Sequence, residues 1–122
     1  MTQKYIKDDI VMYKNRLHTI IDTLGLNNYE LSYVRHSVNQ AELSGVPLTP
    51  EILEKNGWKK SKINDCAYFY YKDGLFLTYT SKDGKFWFDD FDYSSSICVE
   101  LHYVHILQHL LFGLGLNSEM EV

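Results

Sequence analysis

The chain is poor in the residues that staple or break a fold. It has 2 Cys and 2 Pro in 122 residues. Two cysteines allow one internal bridge at most, which excludes a disulfide scaffold. Cys66 and Cys98 both lie in apolar, strand-like surroundings and read as small hydrophobes. No apolar run approaches the length of a membrane-spanning helix, so no membrane partner is expected. The opening MTQKYIKDDIVMYKNR has no hydrophobic signal-peptide core, and a cytoplasmic location is the expectation. Basic excess is missing too. Lys+Arg number 12 against 16 Asp+Glu, a formal net charge of −4. That argues against an extended nucleic-acid surface. A local patch remains in Lys55, Lys59, Lys60 and Lys62 around Trp58, read first as a solvated helix exit and loop. The chain also lacks a phosphate-cradling glycine loop, a nucleophile elbow, Cys2His2 spacing and internal repeats. No catalytic residue, resident metal or cofactor is expected, and the chain reads as a non-enzyme.

What is present suits one domain, 1–122, with a core of its own. Hydrophobic residues make up 45%, and Tyr alone numbers 10. Tyrosine packs its ring and wets its hydroxyl, which permits a partner-binding surface.

The expected fold class is α+β. Ile6, Ile10, Tyr13, Leu17, Ile20 and Leu24 recur at three- and four-residue steps, so Lys4–Leu24 reads as a helix stopped by Gly25. Leu31, Val34, Val38 and Ala41 repeat the stripe over Tyr29–Leu43. The two helices would form an N-terminal helical hairpin over 1–45, packed on a sheet or protruding as a dimerisation arm. In Val46–Trp58, Thr49 reads as an N-cap, Pro50 as the first helical residue and Gly57 as the stop. The period then changes. Asp73-Gly74 lies between Ala67–Tyr71 and Leu75–Thr80, and Asp83-Gly84 leads to Lys85–Phe88. With Ile97–Glu100, this predicts a three- to four-stranded antiparallel meander. Leu101–Leu116 predicts a C-terminal helix packed across that sheet, ending near Leu114.

Rings crowd both faces of the expected strands: Tyr68 and Tyr70 alternate with Phe69 and Tyr71, and Phe86 and Phe88 with Trp87. Either helices cover both faces, or one face meets a ligand or another subunit. A stacked nucleotide suits such a face. His102, His105 and His109 share one arc of the closing helix, at spacings that bring imidazoles toward one ion. With Asp89 or Asp90 they define a metal-dependent hydrolase as one alternative. A polar helix face is the plainer reading, because no further ligand is legible. The run Asp89, Asp90, Asp92 reads as a solvated turn ahead of a cation loop.

Pro47-Leu48-Thr49-Pro50-Glu51-Ile52-Leu53-Glu54-Lys55-Asn56-Gly57-Trp58 resembles the P-L-T-x-E-x-L-x-K-x-G-[FW] opening of a group of small uncharacterised proteins of Bacteroidota and their phages. Tyr103–Phe112 resembles that group's closing Y-V-H-x-L-Q-x-L-x-F helix. The resemblance covers Val46–Leu116. It implies a phage or mobile-element accessory protein and no reaction. His105 and Gln108 are the polar residues shared with the group, expected to bond loop backbone between the P-L-T-P helix and the sheet, or to touch a ligand. His109 replaces a residue that is often Asn, which counts against a three-histidine metal site. The expected function is thus a non-catalytic interaction protein that self-associates as a homo-oligomer and has a protein or small nucleotide as partner. The alternative is a nucleotide-sequestering protein acting against host defence. Its candidate ligand-binding residues are His105, Gln108, Trp58, Lys59, Tyr70 and Trp87.

Overall fold

The computed structural model describes residues 4–25, 27–89 and 98–122. The described chain is mostly sheet. It forms two five-stranded antiparallel sheets and two α-helices, in two compact units.

Among the described residues the expected N-terminal helical hairpin is absent, and strands stand in its place. Residues 1–47 and 103–120 form the first unit. Its strands are β1 (Ile10–Tyr13), β2 (Arg16–Leu24), β3 (Asn28–Leu31), β4 (Val38–Asn39) and β5 (Leu43–Gly45). The helical stripe was a coincidence of spacing. Ile10, Tyr13 and Ile20 are buried, but Leu17 and Leu24 from the same stripe are 45% and 42% exposed. What decides the matter is a turn. Lys14 and Asn15 both have positive φ, 49° and 63°, between paired Tyr13 and Arg16. That is a two-residue hairpin turn whose twist matches the flanking strands. The β-branched run Thr19-Ile20-Ile21 then favours strand over helix. In the second supposed helix, Asn39 caps a 3-10 turn over Gln40–Glu42 in a reciprocal capping box with Glu42.

The strand order is β4-β3-β2-β1-β5. Only Gln40–Glu42 link the two outer strands. From Asn39 to Leu43 the chain reaches at most roughly 14 Å. Outer strands of a flat five-stranded sheet would stand about 19 Å apart. The sheet therefore curls, helped by the register shift between Ile20 and Asp22 in β2. Its concave side holds Tyr5, Val11, Tyr13, Ile20, Tyr29, Leu31, Val38 and Leu43.

The C-terminal helix α2 (Val104–Gly113) belongs to this unit and packs on β1. That corrects the expectation of a helix laid across the meander. The Val104 N–H donates to the Val46 carbonyl at 2.8 Å, satisfying one of the donors a helix start leaves open. At the other end Gly115, φ 73°, donates to the Phe112 carbonyl, and Leu116 donates to Leu111. This pair of bonds closes the last turn around a left-handed glycine.

The second unit comprises residues 48–102 and 121–122. Helix α1 (Pro50–Lys55) starts at Thr49, whose Oγ1 accepts from the Ile52 N–H at 3.3 Å. Thr49→Ala is expected to lower stability by about 1 kcal/mol, read as a reduced urea midpoint. A consecutive meander follows: β6 (Lys59–Asn64), β7 (Ala67–Lys72), β8 (Leu75–Thr80), β9 (Lys85–Asp89) and β10 (Cys98–Leu101). Asp73 and Gly74, φ 52° and 81°, make the β7–β8 turn, as Asp-Gly predicts. Within this meander, β6 is the strand missed from sequence. Its residues KKSKIN are all exposed, so no apolar alternation marks them, and the expected lysine loop is an edge strand.

Register sorts the rings onto two faces. Tyr70 lies opposite Leu77, and Phe86 lies opposite Leu101; all four are buried. Lys72 shares their face, and its Nζ donates to the Asn56 carbonyl at the end of α1, so α1 covers this side. Phe69, Tyr71, Phe76 and Trp87 point to the other side.

Candidate functional site

The most densely arranged polar cluster lies in the first unit, where α2 meets the chain leading into β1. Asp8 has a positive φ of 76°, and beyond that bend Asp9 is 1% exposed. The Asp9 Oδ2 accepts from the Ile6 N–H at 2.9 Å and lies 2.6 Å from the His109 Nε2. The residue before His109 on α2, Gln108, is 3% exposed. Its Oε1 accepts from the Ile10 N–H at 2.9 Å, and its Nε2 donates to the carbonyls of Asp8 at 3.0 Å and Ser118 at 3.2 Å. Gln108 thus completes the pairing of backbone that the sheet leaves open at the start of β1. It bonds this strand, not the loop after α1 that the sequence suggested.

His105 is different. It is 1% exposed and sits between two rings. Tyr5 meets it edge-on at 4.9 Å between centroids, and Tyr103 stacks on it at 5.6 Å. Neither ring nitrogen has a hydrogen-bond partner among the described residues. Burial pushes its pKa down to about 4, outweighing the upward pull of Asp9; His109 and Lys4 lower it further. The imidazole is therefore neutral at neutral pH. Burial also raises the Tyr5 hydroxyl, with Tyr29, Asp9 and Tyr103 adding to the shift.

No family model, curated protein or solved structure matches the chain. The chemistry must be read from geometry alone. Asp9 accepting from His109 Nε2–H would leave Nδ1 as the acceptor nitrogen, the orientation a proton-transfer pair needs. Yet no hydrogen bond joins that nitrogen to a Ser, Thr or Cys among the described residues. The pair ties the helix to the segment before β1. No group of three His, Cys, Asp or Glu able to hold a metal occurs among the described residues. His102 is placed in the second unit, 3.2 Å from the Glu100 carboxylate, while His105 and His109 belong to the first. The Asp89 side chain, Asp90 and Asp92 lie outside the described residues.

The sequence-derived ligand set is divided in the same way. His105 and Gln108 fall in the first unit, and Trp58, Lys59, Tyr70 and Trp87 in the second. Trp58 is 5% exposed and Tyr70 0%, both core residues. Burial, then Glu54, pushes the Tyr70 hydroxyl up to about 12, so it stays protonated. Lys59 and Trp87 do share a surface. Lys59 pairs with Tyr71, Tyr71 with Phe76, and Trp87 lies opposite Thr78, which lies opposite Phe69. Tyr71 is 38% and Phe76 41% exposed. Phe76 contacts Phe69 at 6.4 Å and Tyr71 at 6.1 Å between centroids. Lys85 lies on this face too, 3.5 Å from Glu100. Sequence reasoning missed Asp9, because an acidic residue ahead of an apolar stripe reads as a helix-dipole partner.

Proposed function

We propose that this is a non-catalytic interaction protein, of the accessory kind carried by phages and mobile elements, which self-associates through the outward face of its second sheet. The observation that carries the reading is that face. Phe69, Tyr71 and Trp87 stand on it beside Lys59, Lys85 and Glu100, while the opposite face holds the unit's core. A ring cluster bordered by both signs of charge is self-complementary under a two-fold axis, the commonest symmetry of soluble oligomers. Aromatic residues contribute much of the contact energy at such surfaces, and lysines at the rim contribute little.

Tyr71→Lys tests it. The side chain is already 38% exposed, so the fold should survive. Like charge from two copies would then meet at the centre of the contact. Sedimentation equilibrium is expected to show dimer affinity lowered by tenfold or more, with unchanged circular dichroism. A variant that associates like the unmodified chain contradicts the proposal. Lys59, directly opposite Tyr71 on the same face, favours a second reading, nucleotide binding by stacking on Tyr71 with a phosphate on the lysine. Under it, nucleoside monophosphates raise the melting temperature of the unmodified protein and not of Tyr71→Ala. No shift with any of the four common bases removes it.

A further inference from the structure

We propose that His105 is a proton-triggered latch: protonation of this buried ring releases the first turn of α2 from β5 and from the segment before β1. The proposal is independent of the self-association reading. It rests first on placement. His105 is enclosed by Tyr103 on its own helix, Tyr5 ahead of β1, and Gly45 on β5, where an added Cβ would lie 3.0 Å from the His105 Cε1. It rests next on the ring's lack of partners. Both nitrogens are buried and unbonded among the described residues, so a second proton has no acceptor to receive it. The surrounding charges decide the sign. Among the described residues Asp9 is the acidic group acting on the ring, and its carboxylate is already engaged by Ile6 and His109. Lys4 and His109 oppose a further positive charge, and the Tyr5 and Tyr103 rings pack against the imidazole. Desolvation outweighs Asp9, so the closed state rejects the proton.

An opened helix lets the ring reach water and titrate near the usual histidine value of about 6.5. Above that pH, the open and closed states bind equal numbers of protons at this site. As pH falls from about 6.5 toward 4, only the open state gains one, and opening becomes more favourable by up to tenfold per pH unit. The pairing of His109 with Asp9 and the Gln108 bonds hold the next part of the helix, so release starts at the first turn.

The experiment is amide hydrogen exchange on the intact protein at pH 7 and pH 5, corrected for intrinsic exchange rates. Protection of the Val104, Ile106 and Leu107 N–H groups, which donate to Val46 and Tyr103, is expected to fall about twentyfold between the two, and His105→Phe is expected to abolish the fall. His109→Gln is expected to retain it, which separates the latch from the half-buried His109 that pairs with Asp9. An unchanged fall in His105→Phe, or no fall in the unmodified chain, overturns the proposal. If His105→Phe does not fold, the nitrogen shifts of His105 in the unmodified protein decide. A ring neutral at pH 5.5 in the closed state supports the latch; a ring protonated there with α2 still protected overturns it.

Discussion

Replacing Gln108 by Ala is expected to destabilise the first unit by about 3 kcal/mol, one of the two largest effects of any single change considered. The loss is not mainly of volume. Gln108 accepts from Ile10 and donates to Asp8 and Ser118, and these bonds reach backbone groups that the sheet does not pair at that point. Truncation leaves the buried Ile10 N–H and the part-buried Asp8 and Ser118 carbonyls open, and a buried polar group left open costs about 1–3 kcal/mol of desolvation. Gln108→Glu separates the two halves of the clamp. Its carboxylate can still accept from Ile10, but it faces the Asp8 carbonyl with no proton to offer and adds charge near buried Asp9. It is expected to cost at least as much as Ala at pH 7. Urea unfolding monitored within the first unit measures both. A drop under 1 kcal/mol for Gln108→Ala would remove Gln108 from its place as the clamp between α2 and β1.

Gly45→Val is expected to cost about 3 kcal/mol or more, through overpacking. An added Cβ at Gly45 would lie 2.7 Å from the Tyr103 Cδ1, 2.8 Å from its Cγ and 3.0 Å from the His105 Cε1. The requirement is for space, since Gly45 is absent from the positions with positive φ. The Tyr103 Cγ sits next to its own backbone and cannot swing clear without moving the start of α2, which the Val104–Val46 hydrogen bond fixes. Gly45→Ala should cost less, about 2 kcal/mol, and most of that should vanish when Tyr103→Ala is added. Additive effects in that double-mutant cycle would contradict the contact.

These two residues show what the sequence could and could not reveal. Gln108 was singled out by the resemblance, as a shared polar residue expected to bond loop backbone, and it does bond backbone; its partner strand was hidden because that strand had been read as a helix. Gly45 marked only the end of the helical hairpin expected over 1–45. The error over 1–45 came from trusting a periodicity of six apolar residues over a turn. Lys14-Asn15 is a weak hairpin signal compared with Asp73-Gly74, so the first hairpin was missed where the β7–β8 hairpin was seen. Asn39 and Glu42 did carry a capping signature, but it was absorbed into a longer helix. β6 had no hydrophobic alternation at all, because an edge strand with lysines on both faces buries little. Asp9 could not have been found. Its role exists only through the fold, where residues one hundred positions apart meet.

The aromatic faces of the meander were readable as an alternation, and register now says which ring points where. That assignment underlies the central claim, that the outward face of the second sheet joins copies of the chain. Native mass spectrometry of the full-length protein at micromolar concentration, beside Tyr71→Lys, tests it most directly. The account predicts a species at about twice the 14.3 kDa chain mass for the unmodified protein and a monomer for the variant. A monomer in both, or a dimer that Tyr71→Lys leaves intact, would contradict it.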